Sequence, residues 1–576
     1  HNVVCYSKHP NINKNTTMRR IIFYLMSLWL TCFSAGAKDF TYTYLGQTIE
    51  YTVLDEENKT CGTKSEELGN YPKPIKGSLI LPEKVYDGDA EYTLVSIGEN
   101  CFEFCTELMA VQIPGTVLSI GDEAFDSCRE LKTLVISDSE EVINIGRNAF
   151  YGVELSEIYL GRPWKNNSTH PFYKYMTSYS ITLGNSITRI EPSLFDRCPG
   201  LINIELPASL KEIGANAFFM CTGLTSIDIP SSVETIRDSA FKDCTDLTSV
   251  NLGYSLIKIG WEAFSGCTGL TSIEIPNSVT YLGRQAFKNC SGLTSVALGN
   301  SITEIGDETF VNCTSLRSIK IPDSVTSIGE QVFAYCKGLT SINIPGEVTA
   351  IGTNAFLDCT GLTRAEFTSI ESLCKIDFNY AGSNPLSYAH NLWINGEEIE
   401  ILNIPSSVSI IKPYTFYGCS GLRSVTIPET VRNIDKFSFY GCSGITLLYL
   451  PPSFSEIGTK AFGDCDGLEN VYYPVKGLVN TTDSEVFSNI AYRNSVLWVP
   501  EKFLDVCKRI EPWRNFYDIR QYDFDAGIDN LIEEFDEEAE YEVYDLNGVK
   551  IGDSTSHLGR GVYILRQGNK AKKVVL

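Results

Sequence analysis

Apolar and polar positions alternate along most of the chain in one unit that recurs every 23 residues. A clean copy runs from Leu270 to Cys290. Leu270, Ile273 and Ile275 are apolar, with Thr271, Ser272 and Glu274 between them. That alternation predicts a short strand with one buried face. Pro276 ends the strand, because it has no N–H to donate to a ladder. Val279 and Leu282 return apolar side chains to the core, and Gly283 permits a bend. Ala286, Phe287 and Cys290 then pack the far wall of one coil.

The cysteines act as a ruler for this unit. Cys198, Cys221, Cys244, Cys267, Cys290, Cys313, Cys336 and Cys359 are each 23 apart, as are Cys105 and Cys128, and Cys419, Cys442 and Cys465. A phenylalanine stands three places before each, and Phe150 marks a further copy with Val153 at the cysteine position. A fixed period of this length predicts a solenoid, in which one coil cannot bury its own apolar face and both ends need caps. Leu270, Ile273 and Ile275 fit the L-x-x-L-x-L strand of a leucine-rich repeat. The expected fold is an α/β-type, β-rich leucine-rich repeat solenoid. One strand per coil builds a parallel sheet on the concave face.

The rest of the chain divides around this body. Residues 1–17 read as translated upstream sequence, and 18–37 as a secretory signal: Met18-Arg19-Arg20, an apolar run from Ile21 to Leu30, and small residues Ala35-Gly36-Ala37. That run is short of the roughly 20 residues a membrane span needs. Residues 38–95 alternate as a β cap, with Phe40, Tyr42, Tyr44, Ile49, Tyr51 and Val53 as the apolar positions. The solenoid is expected over 96–470. The period breaks near 161–180 and 368–400, and each break is either an emergent binding insertion or an irregular coil that packs normally. Residues 471–520 read as the C-terminal cap, with Leu497–Pro500 as its last strand and a short helix over 502–510. An acidic linker (521–540) and a small β module (541–576) follow.

Composition narrows the function. A net charge of −24 argues against sequence-independent nucleic-acid binding, which needs Lys and Arg for phosphate, and favours a self-repelling monomer. The cysteines form no C-x-x-C pair and no histidine stands at zinc spacing, so no metal site is nominated. Cβ vectors in a stack run parallel, so the ladder is expected to be buried free thiols of constant volume, not disulfides. No nucleophile elbow, H-E-x-x-H, P-loop or dinucleotide motif occurs, and His170, His390 and His557 lie far apart. No catalytic residue and no cofactor are assigned.

The outward strand positions are the candidate binding residues. One row, Ser226, Ser249, Ser272, Ser295, Ser318 and Ser341, is uniform and reads as a hydroxyl ladder supporting the sheet. The next row runs Asp228, Asn251, Glu274, Ala297, Lys320 and Asn343. Its charge and size vary on a constant frame, which suits a surface that reads a partner. Asp228, Asn251, Glu274, Lys320 and Asn343 are therefore the nominated binding row.

The recurring unit Cys-Thr-Gly-Leu-Thr-Ser-Ile-x-Ile-Pro-x-Ser-Val-Thr-x-Ile-Gly-x-x-Ala-Phe strongly resembles the BspA-like leucine-rich repeat family. The last 36 residues, with Val543-Tyr-Asp-Leu-Asn-Gly548 and Gly561-Val-Tyr-Ile564, are similar to a shortened type IX secretion sorting domain. The resemblance implies an exported protein, at the cell surface or outside the cell, with the periplasm as the alternative. Some family members are adhesins, so it also implies a protein or glycoprotein ligand, from host extracellular matrix or from other bacteria. The competing expectation is a periplasmic or envelope scaffold without a host ligand.

Overall fold

The computed structural model describes residues 38–67, 75–166, 178–452, 454–476 and 485–524, and four strands beyond 541. The expected signal over 18–37, the acidic linker from 525 and much of the break near 161–180 lie outside the described residues. The chain forms two compact units, His1–Met176 and Thr177–Leu576.

In the first unit an antiparallel hairpin, Asp39–Tyr44 with Gln47–Asp55, opens the fold. Phe40 lies 5.6 Å from Tyr51 and 5.5 Å from Tyr92, so these three rings make the cap's own core, while Tyr44, expected as an apolar position, is exposed beside the hairpin turn. Two parallel ladders then run side by side. One joins Lys76–Ile80, Glu107–Ile113, Thr133–Ile136 and Glu157–Leu160; the other joins Ala90–Ile97, Ser119–Ile120, Ile143–Ile145 and Trp164–Asn166. Coil geometry thus starts inside the stretch expected as cap. Arg162, from the first break in the period, is buried. Its guanidinium donates to the carbonyls of Glu141, Gly115 and Val117 at 2.7–2.8 Å.

The second unit repeats the same coil many times. Each coil contributes two strands, not one: a three-residue strand such as Ser272–Glu274 and a two-residue strand such as Tyr281–Leu282. Ser272–Glu274 pairs in parallel with the coil after it and Tyr281–Leu282 with the coil before it. Helix is confined to short turns, so the expected β-rich solenoid is observed with less α character than the α/β label carries.

Three ladders hold successive coils together. Phenylalanine rings stack from Phe195 to Phe356 with centroids 5.0–5.8 Å apart, and again from Phe416 through Phe462 to Phe487. Each buried ring contributes roughly 1.5–3 kcal/mol of transfer free energy, plus its stacking contacts. The cysteines form the second ladder. All described cysteines are buried and free. Inside each regular run the ladder thiol donates to the carbonyl of the phenylalanine one coil back, as Cys290 does to Phe264 at 3.1 Å and Cys267 to Phe241 at 3.1 Å, whereas Cys198, at the start of its run, turns to the Asp196 carbonyl. Burial pushes the Cys290 thiol up to about 12, so it keeps the proton it donates. The third ladder is backbone: Phe287 N–H donates to Thr309 and Asn289 N–H to Val311.

Two residues per coil take a left-handed backbone, two places before and two after the phenylalanine. Gln285 (φ 58°) and Asn289 (φ 61°) are one such pair. Met220 (φ 55°) and Tyr335 (φ 64°) are held in the same conformation, at about 1–2 kcal/mol each. Gly283 does not serve as the expected bend. A Cβ there would lie 2.4 Å from the carbonyl carbon of Gly260, so glycine is required because consecutive coils approach backbone to backbone.

The break near 368–400 packs as a longer coil. Ser369 caps the helix Ile370–Lys375, Asp377–Phe378 joins Ala350–Ile351, and Leu392–Ile394 joins Arg364–Phe367. Asn384 is buried within this coil. Its amide donates to the carbonyls of Tyr414 and Thr415, and its oxygen accepts from Leu386 N–H. At the other end Val496–Val499 is not the last strand: Asp518–Gln521 adds in parallel beyond it. The alternating Asp518 and Arg520 place charge on that outer strand. An unexpected helix, Asn489–Asn494, and a shorter one than expected, Leu504–Cys507, pack below it. Glu542–Tyr544, Lys550–Gly552, Val562–Gln567 and Lys570–Val575 form a separate antiparallel sheet.

Candidate binding face of the parallel sheet

Strand pleating sets which side chains leave the core. In Ser318–Ile319–Lys320 only Ile319 is buried, and its neighbours point outward. Parallel register then aligns equivalent residues into rows. Ser226 pairs with Ser249 and Asp228 with Asn251; Glu274, Ala297, Lys320 and Asn343 are successive register partners. The regular ladder is interrupted between these two groups. All five nominated residues are exposed.

The serine row does not form the expected hydroxyl ladder. No hydrogen bond links these serines among the described residues. The threonine one place earlier takes that role: Thr248, Thr294, Thr340 and Thr363 each donate to the carbonyl 23 residues before, at 2.9–3.2 Å. A hydroxyl at either position satisfies the sequence pattern, but only the threonine side chain reaches a free carbonyl lone pair. The serine hydroxyls are left to face solvent.

Charge along the face changes sign. Glu205, Asp228 and Glu274 give way to Arg317, Lys320 and Arg364. Lys320 has no carboxylate within ion-pair distance among the described residues. Arg364 is fixed on two sides: its guanidinium carbon lies 4.1 Å from the Trp393 ring centroid, and one nitrogen donates to Glu366 at 2.8 Å. The other Glu366 oxygen accepts from Gly396 N–H at 2.8 Å, in the hairpin Leu392–Ile394/Glu397–Glu398. Ser318, Lys320, Ser341, Asn343, Arg364 and Glu366 line a shallow depression of about 360 Å³. Lys320 and Asn343 were legible as members of the outward row. Arg364 and Glu366 stand 23 places after Ser341 and Asn343 and continue both rows, although they were not nominated; Trp393 was not legible, because the lengthened coil hides its register in the sequence.

The catalytic side of the sequence reading leaves one described histidine. His390 adopts a left-handed backbone (φ 61°) at the end of the turn Leu386–Ala389, with Nδ1 2.9 Å from the Gly418 carbonyl. It caps a chain reversal. Among the described residues no helix is long and apolar enough to cross a membrane.

A family model matches the repeating unit of these coils. The model of the BspA type leucine-rich repeat region (6 copies) matches residues 95–222, 165–294, 257–382 and 389–504. A leucine-rich repeat protein from Bacteroides ovatus is 25% identical, with 85% of this chain and 100% of that one covered and a TM-score of 0.45. A leucine rich cell surface protein from Faecalibacterium prausnitzii is 26% identical over 60% of this chain and 100% of its own, with a TM-score of 0.30. The Treponema pallidum leucine rich repeat protein is 31% identical over 28% of this chain and 78% of its own, with a TM-score of 0.28. No curated protein matches the chain. With the repeat unit matched over more than half its length, the chain belongs to the BspA-type leucine-rich repeat family.

Proposed function

We propose that this protein is an exported binding scaffold, adhesin-like, which recognises a protein or glycoprotein through the outward face of its parallel sheet. The observation that carries the reading is the contrast within each strand. Inward residues stay aliphatic and the threonine ladder is broken only at Arg317, while the register-aligned row Asp228, Asn251, Glu274, Ala297, Lys320, Asn343 changes chemistry at nearly every step. A rigid array of varied side chains at a fixed spacing of about 4.8 Å suits recognition of an extended partner. Export rests on the signal-like segment 18–37 and on the resemblance of the C-terminal module to a sorting domain.

Protease treatment of intact producing cells tests the location, followed by binding to immobilised matrix glycoproteins, mucins and partner bacteria. Cleavage on intact cells together with capture by at least one of these surfaces is expected. Protection until lysis would overturn the adhesin reading in favour of a periplasmic scaffold.

A further inference from the structure

We infer that the depression at Lys320 and Arg364 is a subsite for a carboxylate-bearing sugar of an acidic glycan. The inference rests on the binding-face reading above and names the chemistry of one part of it. Lys320, Asn343 and Glu366 are register partners on three adjacent strands, as are Ser318, Ser341 and Arg364. Two strands and two residues separate Lys320 from Arg364, about 12 Å between Cα atoms, a span that two long basic side chains bridge around one carboxylate.

Three features make the site selective for an anion. The Lys320 ammonium lacks a carboxylate partner in a chain of net charge −24. Arg364 is pre-oriented by the Trp393 indole and Glu366, and a single described hydrogen bond leaves most of its five N–H donors open. Glu366 is already held on both oxygens, by Arg364 and by Gly396 N–H. Arg317, one place before Ser318, adds a further cation without an ion pair among the described residues.

The lining between the cations explains why the ligand is a sugar. Ser318, Ser341 and Asn343 offer hydroxyl and amide groups that donate and accept. The volume of about 360 Å³ is at the low end for small-molecule sites, about 300–1,000 Å³, and admits a saccharide unit instead of a folded protein surface. A carboxylate takes charge-assisted hydrogen bonds from Lys320 and Arg364, while ring hydroxyls exchange bonds with Asn343 and the serines.

Calorimetric titration of the full chain with 3′-sialyllactose, a hyaluronan tetrasaccharide, lactose and tetraglutamate tests this. At least one acidic oligosaccharide should bind about tenfold or more tightly than lactose, and which one binds identifies the sugar as a sialic or a uronic acid. Lys320→Gln and Asn343→Asp should each weaken that binding about tenfold, and Glu304→Gln, exposed on the two-residue strand Glu304–Ile305 away from the row, should leave it unchanged. Asn343→Asp alters charge at an exposed position, so it keeps the test valid where Arg364→Gln loosens the Trp393 hairpin. Equal binding of lactose, equal or tighter binding of tetraglutamate, no binding of any sugar, or indifference to both variants would overturn the subsite. Capture on mucin is measured in parallel. Capture lost only when the whole outward row is replaced removes the subsite and leaves the binding face standing.

Discussion

Replacing Phe287 by alanine probes the stacking that holds the coils together. Phe287 is fully buried, with rings 5.5 Å away on Phe264 and 5.7 Å away on Phe310, tilted by 2° and 8°. Truncation removes a ring from the middle of a column and leaves a cavity. Such changes cost about 3–5 kcal/mol. Two stacking contacts of about 0.5–1.5 kcal/mol each fall within that range. Collapse of the cavity is resisted, because the backbone stays pinned: Phe287 N–H donates to Thr309, and the Cys313 thiol donates to the Phe287 carbonyl. The expected cost is therefore in the upper half of the range. Phe356→Ala is the internal control. Its ring stacks on one described ring, Phe333 at 5.4 Å and 25°; the next coil accepts the Phe356 backbone N–H at the Gly382 carbonyl but adds no described ring to the column. It should cost about 1 kcal/mol less. Urea unfolding followed by far-UV circular dichroism reads both variants. A Phe287→Ala cost below about 1 kcal/mol, or a larger cost for Phe356→Ala, would refute the column as the main tie between coils.

Other consequences follow from the same coil. Iodoacetamide should label no ladder cysteine in the folded protein and all of them after denaturation without reductant; missing label after denaturation would mean disulfides. Cys290→Ser keeps a donor for the Phe264 carbonyl, whereas Cys290→Val does not, so serine should be the milder change by about 0.5–1 kcal/mol in the same urea assay. Valine as stable as wild type would reduce the thiol to volume alone. Arg162→Met strips three carbonyls of their donor and should cost about 3 kcal/mol or more; a neutral result in thermal unfolding would show that water replaces the guanidinium. Partial burial pushes the Glu308 carboxyl up, but hydrogen bonds from Arg284, Lys288 and Gln285 outweigh it and bring it to about 2. A depressed value stabilises the fold above the ordinary carboxylate range and loses that contribution as pH falls towards 2. Glu308→Gln should therefore destabilise by about 1 kcal/mol at pH 7, with the gap closing between about pH 4.5 and 2. A gap independent of pH would remove the ion pairs as its cause.

Much of the coil was legible in the sequence because period and polarity act directly on burial. Ile273 and Ile275 had to face inward, Pro276 had to end a strand, and Phe287 and Cys290 had to recur on one wall. What a side chain bonds to was less visible. The cysteine position reads as a volume, yet its thiol is a donor to a specific carbonyl one coil back. The serine row reads as a ladder because it is uniform, yet Thr294, one place earlier, makes the bond. Gly283 reads as a bend, but it is set by the distance to Gly260, a residue 23 places away. The second strand of each coil has only two residues, too short for alternation to register. Where the period changes, sequence spacing no longer gives register. Trp393 therefore reaches Arg364 without a repeat signal, and Phe487 continues the ring column 25 places after Phe462.

The binding face is tested most directly by one pair of proteins. In one, Asp228, Asn251, Glu274, Lys320 and Asn343 are all replaced by alanine; the other is wild type. These exposed positions each carry less than about 0.5 kcal/mol of stability, so the variant should fold with the same far-UV spectrum. Solid-phase binding to matrix glycoproteins and mucins should then fall about tenfold or more for every surface that wild type recognises. Undiminished binding by the folded variant would contradict the claim that this face reads the partner.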